Sequence, residues 1–154
     1  MTHLKIGDKA PDIKAKNQNG ETVNLNDYKG KKLILYFYPK NNTPGCTAEA
    51  CDLRDNFQPL KDKGFEILGV SPDSENSHLK FIAKYSLNFD LISDIDKKVL
   101  KDYGVWGEKK MFGKTKEGVH RTTFVIDEEG KIEKVFKKVK TKEHASQILE
   151  SFEN

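Results

Sequence analysis

The sequence has few cysteines and no long apolar run. Its 154 residues include only two cysteines, too few for the disulfide framework of a small secreted domain. No stretch approaches the roughly 20 apolar residues that a transmembrane helix needs. The N-terminal residues lack the apolar segment of a signal peptide. These absences predict a cytoplasmic protein with no membrane partner.

An excess of one charge is also lacking. The formal net charge is +3, and lysines and acidic residues alternate along the chain. This distribution is typical of a solvated surface and disfavours a nucleic-acid partner. The length is that of one ordinary domain, and no linker or internal repeat interrupts it. We therefore expect residues 1–154 to form a single domain.

Both cysteines fall in one short segment, residues 39–51, which reads Pro-Lys-Asn-Asn-Thr-Pro-Gly-Cys-Thr-Ala-Glu-Ala-Cys. The preceding run, 33–38, is apolar without alternation, which predicts a buried strand of a parallel sheet. Thr43 followed by Pro44 predicts a helix start with Thr43 as the N-cap. Cys46 then lies in the first turn of a helix, at the C-terminal end of a strand. Open α/β sheets place their chemistry at that edge.

A reactive cysteine must be ionised, and a free thiol with a pKa of about 8.5 is only about 3% thiolate at pH 7. Lowering such a pKa to about 6 takes roughly 3.4 kcal/mol. A helix N-terminus supplies at most about 2 kcal/mol, so a fixed cation is needed as well.

The chain offers two arginines as that cation, Arg54 and Arg121. Arg54 follows Cys51 by three residues on the same predicted helix, which suits a surface ion pair. Arg121 opens a strand-like run and is the better candidate. Its planar, permanently charged guanidinium can hold a thiolate and also bind an oxygen-bearing substrate.

The spacing of the two cysteines limits how they can react together. Residues five apart in a regular helix have Cα atoms about 8–9 Å apart, whereas a disulfide requires about 4.4–6.8 Å. Cys46 and Cys51 can therefore bond only after the helix unwinds. The alternative is a pair of inert core cysteines. A metal site is less favoured, because no histidine pair lies nearby in the sequence to complete the ligand set.

Glu49 follows Cys46 by one helical turn, and two interpretations of it stay open. It either bonds to Arg121 and orients it, or it is a first-turn acid that complements the helix dipole. His120 adjoins Arg121, and neighbours on a strand point to opposite faces, so it is expected to face away from the site. His3, His78 and His144 lie in polar contexts and are predicted at the surface.

The order of the predicted elements favours an α/β protein with a thioredoxin-like fold. Its central mixed sheet would carry helices on both faces, preceded by an N-terminal β-hairpin turning at Asn19-Gly20. Pro59 is expected to kink or end the first helix at Gln58. The remaining predicted elements are strands at 65–70, 89–92, 121–126 and 131–137, helices at 75–85, 97–103 and 142–152, and a glycine-rich loop at 104–119.

These motifs closely resemble the peroxiredoxins, and among them the bacterioferritin-comigratory or Q-type subfamily. The family pattern Pro-x-x-x-Thr-x-x-Cys matches Pro39, Thr43 and Cys46. The Q-type resolving position matches Cys51, and the distal family arginine matches Arg121.

The resemblance implies a thiol peroxidase that reduces hydrogen peroxide and organic hydroperoxides without a metal or cofactor. It implies a peroxidatic role for Cys46 and a resolving role for Cys51. Thr43 and Arg121 would position the substrate oxygens, while Pro39 would shield the pocket. It further implies a monomer re-reduced by a thioredoxin-like partner.

Two alternatives stay open at this point. One is a thiol–disulfide exchange enzyme on the same fold, which the cysteine spacing opposes. The other is a non-enzymatic redox switch.

Overall fold

The computed structural model describes residues 2–153, with all of their side chains except that of Met111. Nine strands and five α-helices are present in this range, with a short 3₁₀ helix at Leu25–Tyr28. The strands are β1 (Lys14–Lys16), β2 (Thr22–Asn24), β3 (Lys32–Phe37), β4 (Phe65–Ser71), β5 (Asp90–Ser93), β6 (Trp106–Met111), β7 (Lys114–Val119), β8 (Thr122–Ile126) and β9 (Ile132–Phe136). The helices are α1 (Pro44–Asp55), α2 (Phe57–Asp62), α3 (Glu75–Tyr85), α4 (Lys98–Asp102) and α5 (His144–Glu150).

The central sheet has five strands in the order β5-β4-β3-β8-β9. Strands β3, β4 and β5 run parallel, whereas β8 pairs antiparallel with both β3 and β9. The predicted mixed α/β sheet is therefore confirmed. Its central strand, β3, ends where β8 begins, because Phe37 pairs with Thr122. The residues just before β8 and just after β3 consequently meet at one edge of the sheet.

Strand β3 lacks alternation because both of its faces are covered. Leu33, Leu35 and Phe37 pack into one hydrophobic cluster, while Ile34 and Tyr36 pack into the other. The first cluster includes residues of α4, and the second includes residues of α1, α2, α3 and α5. Helices thus cover both faces of the sheet, as the sequence predicted.

The N-terminal hairpin is present, with β1 antiparallel to β2. The segment 104–119 differs from the predicted loop, since β6 and β7 form a second antiparallel hairpin. Its side chains are mostly half-buried or exposed, so it carries little of the apolar alternation that identifies a strand. Its turn places Phe112 and Gly113 at φ of 53° and 77°. An aromatic residue is an unusual choice for that conformation.

The prediction for the first helix needs correction. Helix α1 already ends at Asp55, and Pro59 lies in the first turn of α2, where its missing N–H breaks no helical bond. In α3 the buried residues are His78 and Phe81, while Leu79 is 44% exposed. The described part of the chain contains no helix that is long and apolar enough to span a membrane.

Candidate active site

Cys46 lies in the first turn of α1, immediately beyond the C-terminal end of β3. It is a free thiol, and its side chain is 1% exposed. Helix α1 begins at Pro44 after Thr43, which occupies the N-cap position with an extended backbone. Both the helix start and the place of Cys46 agree with the sequence prediction.

Arg121 reaches the Cys46 sulfur from the neighbouring strand. It immediately precedes β8, which begins beside the end of β3. Its Nη2 donates a hydrogen bond to Cys46 Sγ at 3.2 Å. The half-buried guanidinium thus places a permanent positive charge against this sulfur. The contact that the sequence predicted between Arg121 and Cys46 is therefore present.

Arg54 is placed elsewhere, as expected. It forms a surface ion pair with Asp55 at 2.9 Å, and it also donates to the carbonyl of Tyr85. His120 donates from Nε2 towards the carbonyl of Glu108 and does not join the cysteine site.

Glu49 is fully buried and accepts a hydrogen bond from Arg121 Nη1 at 2.6 Å. Of its two open interpretations, the contact with Arg121 is the one observed. Burial raises the pKa of Glu49 to about 7, although the Arg121 charge and hydrogen bond act in the opposite direction. One guanidinium thus bridges a sulfur and a carboxyl group that is readily protonated near neutral pH.

His144 is also fully buried, so its predicted surface position is wrong. It is the first residue of α5, and its side chain turns inward against Phe136. Its Nε2 lies 2.8 Å from Thr123 Oγ1 and 3.6 Å from Glu49 Oε2. Burial lowers the pKa of His144 to about 4, and the nearby Arg121 charge adds to this. The residues that precede it, 140–143, are all polar and gave no signal of this position.

Thr43 and Pro39 lie on the segment between β3 and α1, and both are half-buried. The Thr43 hydroxyl donates to the carbonyl of Lys40 at 2.9 Å, and it makes no side-chain cap to α1. The predicted N-cap position is therefore correct, but the Thr43 side chain does not accept a hydrogen bond from a backbone N–H of the first turn of α1. With its proton engaged by Lys40, the Thr43 oxygen keeps its lone pairs as acceptors.

A buried polar network supports this segment, and the sequence analysis missed it. Asn41 accepts from the Tyr38 hydroxyl at 2.6 Å and contacts His78 Nδ1 at 2.9 Å. His78 Nε2 faces the carbonyl of Ile92, so it carries the proton and Nδ1 accepts from the Asn41 amide. Burial lowers the pKa of His78, which favours this neutral form. His78 is thus a second histidine wrongly predicted at the surface.

Tyr36 is a further buried group beside the site. Its side chain is fully buried, and its hydroxyl finds no hydrogen-bond partner within residues 2–153. Burial raises its pKa well above the ordinary value, with Tyr38, Glu49 and Cys46 adding to the effect. The hydroxyl therefore keeps its proton.

Cys51 shares α1 with Cys46 and is a half-buried free thiol. The two cysteines are therefore five residues apart on one intact helix, which is the arrangement the sequence predicted. The residue after Cys51 fastens this helix to α5, because Asp52 Oδ2 accepts from the backbone N–H of Ala145 at 2.8 Å.

Comparisons with known proteins agree with this geometry. The profile of the AhpC/TSA family matches residues 6–135. Peroxiredoxin Bcp of Escherichia coli K12 is 49% identical over 149 residues, covering 97% of this chain and 96% of that protein. Peroxiredoxin Bcp of Bacillus subtilis is 48% identical over 151 residues, covering 98% of this chain and 96% of that protein.

Solved structures give the same result. A cysteine-to-serine mutant of Xylella fastidiosa PrxQ superposes with a TM-score of 0.88 at 32% identity, covering 98% of this chain and 96% of that one. Xanthomonas campestris peroxiredoxin Q superposes with a TM-score of 0.85 at 35% identity, covering 97% and 95%. The buried free cysteine in contact with an arginine agrees with these matches. The chain therefore belongs to the AhpC/TSA family, as a thiol peroxidase of the Bcp peroxiredoxin type.

Proposed function

We propose that this chain reduces hydrogen peroxide and organic hydroperoxides with Cys46 as the peroxidatic cysteine and Cys51 as the resolving cysteine. The observation that carries the proposal is the 3.2 Å contact between Arg121 Nη2 and the buried Cys46 sulfur. Support for organic substrates comes from a Xanthomonas campestris bacterioferritin comigratory protein at 34% identity, whose structures are described in terms of alkyl peroxide reduction.

In the first step, the Cys46 thiolate attacks the terminal oxygen of the hydroperoxide. An S–O bond forms as the O–O bond breaks, and the electron pair passes to the leaving oxygen, which takes a proton to give an alcohol or water. The products are a Cys46 sulfenic acid and the two-electron-reduced substrate. Arg121 donates hydrogen bonds where negative charge develops. The Thr43 oxygen, whose own proton is bound by Lys40, accepts the O–H of the substrate.

In the second step, the Cys51 thiolate attacks the sulfenic sulfur, and an S–S bond replaces the S–O bond; the leaving hydroxide takes up a proton and departs as water. The two cysteines share α1, so this step requires the helix to unwind around them. Pro39 shields the pocket, and the hydrogen bonds of Asn41 with Tyr38 and His78 hold the segment between β3 and α1.

An external dithiol must then return the disulfide to two thiols, and we propose a thioredoxin-like protein as that donor. Two further proposals follow from the subfamily resemblance and from the small number of cysteines. The protein acts as a monomer formed by one domain, and it acts in the cytoplasm, where thiols are kept reduced.

The test is stopped-flow oxidation of the reduced protein, with mass spectrometry of the products. Cys46→Ser is expected to abolish peroxide consumption. Cys51→Ser is expected to keep the first oxidation step and to accumulate sulfenic or more oxidised Cys46. A Cys51→Ser variant that lost the first step as completely as Cys46→Ser would contradict these roles.

A further inference from the structure

The Arg121–Glu49 pair has a buried neighbour that the reaction described above does not use. Glu49 Oε1 is bound by Arg121, but Glu49 Oε2 has no hydrogen-bond partner among the described residues. The group that faces Oε2 is His144 Nε2, at 3.6 Å. Both side chains are fully buried, so bulk water does not reach them.

Hydrogen bonds on the far side of the imidazole determine which of its nitrogens carries the proton. Gln147 Oε1 accepts from the backbone N–H of Lys140, while Gln147 Nε2 donates to the carbonyl of Lys138. The amide oxygen of Gln147 therefore faces His144 Nδ1, at 2.9 Å. Nδ1 must be the protonated nitrogen, and a neutral His144 presents a lone pair at Nε2.

That lone pair accepts from Thr123 Oγ1 at 2.8 Å, and the same electron-rich edge of the ring lies 3.6 Å from Glu49 Oε2. An ionised Glu49 would place a negatively charged oxygen opposite this edge, in a site closed to bulk water. Such an arrangement is unfavourable in a medium of low polarity. A proton on Oε2 removes the conflict, because it neutralises the carboxylate that faces this edge of the ring.

We propose that Glu49 carries this proton because neutral His144 faces its Oε2, and that His144 thereby acts as a positioning residue for Arg121. While Glu49 is neutral, the guanidinium charge is available to the Cys46 sulfur. When Glu49 ionises, it competes with the sulfur for that charge. The proposal rests on Cys46 being the reacting thiol and adds to it the group that controls its cation.

The other groups around Glu49 fit this charge balance. The raised pKa of Glu49 and the lowered pKa of His144 both favour a neutral pair over an ion pair. Tyr36 and Tyr38 have raised pKa values and stay uncharged, while Asp52 opposes ionisation of Glu49. The titratable groups that face Glu49 are Cys46 and Asp52 on α1, Tyr36 and Tyr38 at β3, Arg121 before β8 and His144 on α5.

The proposal can be tested without peroxide by measuring the rate at which iodoacetamide alkylates Cys46 at a series of pH values. The Cys51→Ser protein is used, so that Cys46 is the one thiol that can react. His144→Leu is expected to slow alkylation at pH 6 by about three- to tenfold, since removing the electron-rich ring edge that opposes the carboxylate favours ionised Glu49. The difference should vanish near pH 9, where Glu49 is ionised in both proteins. Ile148→Val, at another buried position of α5, is the matched control and should leave the profile unchanged.

A second background isolates the path through Glu49. Glu49→Gln keeps an acceptor for Arg121 and offers an N–H to His144, so it imitates the protonated state permanently. In that background, His144→Leu is expected to change the alkylation rate less than twofold. An equal loss in both backgrounds would show that His144 only supports packing, and the proposal would fail.

A measurement on the unsubstituted protein keeps the test independent of variant folding. Nitrogen-15 NMR at pH 6 should show His144 as the neutral Nδ1–H tautomer, and infrared spectra should show a carboxylic acid band that Glu49→Gln removes. An imidazolium at His144, or no such band, would overturn the proposal. Normal alkylation without peroxide turnover would instead count against the proposed peroxidase roles alone.

Discussion

Asp52 Oδ2 accepts a hydrogen bond from the backbone N–H of Ala145 at 2.8 Å, which fastens the helix carrying both cysteines to the first turn of α5. Asp52 follows Cys51 directly, so this bond lies in the part of α1 that must open before a disulfide can form. Burial raises the pKa of Asp52, while the hydrogen bonds from Ala145 and His144 oppose the rise. Asp52 therefore restrains the opening of α1 that disulfide formation between Cys46 and Cys51 requires.

We therefore expect Asp52→Ala to speed disulfide formation after oxidation of Cys46 by about three- to tenfold. Loss of a cap of this kind costs about 0.5–2 kcal/mol of stability. Oxidation of Cys46 itself should change little. Stopped-flow fluorescence separates the two steps. Asp55→Ala, which removes an exposed partner of Arg54, is the control. Equal rates of disulfide formation in the two variants would show that Asp52 does not restrain the helix.

Arg121→Lys is expected to lower the second-order rate of Cys46 oxidation by about 10- to 100-fold. A lysine keeps the charge but lacks the planar fork that contacts Cys46 Sγ and Glu49 Oε1 together. Initial rates at several peroxide concentrations measure the effect, and Arg54→Lys serves as control. Retention of the full rate by Arg121→Lys would mean that charge alone suffices.

Gly45→Ala should reduce activity without reducing stability. A Cβ at this position would lie 3.2 Å from Arg121 Nη2, so the guanidinium must shift. Alanine itself favours a helix over glycine by up to about 1 kcal/mol. We expect about a tenfold slower oxidation of Cys46 with an unchanged or higher melting temperature. Gly118→Ala, whose Cβ would meet the flexible Lys109 side chain at the same distance, should leave the rate unchanged. A parallel loss in both variants would point to a general effect of the added methyl group.

The pH dependence of stability should show two opposing contributions. Glu49 has a folded pKa of about 7, above its ordinary 4.5, so its contribution is lost as pH rises from about 4.5 to 7. His144 has a folded pKa of about 4, below its ordinary 6.5, so its contribution is lost as pH falls from about 6.5 to 4. Between about 4.5 and 6.5 the two should largely cancel.

Single substitutions should expose each contribution by itself. Relative to the unsubstituted protein, Glu49→Gln should become more stable as pH rises through that range, and His144→Leu less stable. Each slope should approach about 1.4 kcal/mol of unfolding free energy per pH unit. Urea denaturation at a series of pH values measures both. Slopes of the same sign in the two variants would contradict the folded-state pKa values.

The sequence determined where the helix that carries Cys46 begins and where the strand before it ends. Thr43-Pro44 sets the start of α1, and the apolar run before Pro39 sets the end of β3, because capping and burial are local signals. With two arginines in the chain, Arg121 could be chosen as the cation by elimination of Arg54. The hairpin of β6 and β7 was missed because its exposed strands, with Phe112 in the turn, leave little local pattern.

Only the tertiary structure decided which groups lie beside Glu49, the carboxyl partner of Arg121. His144 is about 100 residues from Cys46 in sequence, and its polar neighbours predict a surface position. Packing of α5 against α1 and β8 buries it and points Nε2 at Glu49. Burial then determines the protonation of both groups, because desolvation penalises their charged forms. That effect depends on what covers a side chain, which the residues next to it in the chain do not encode.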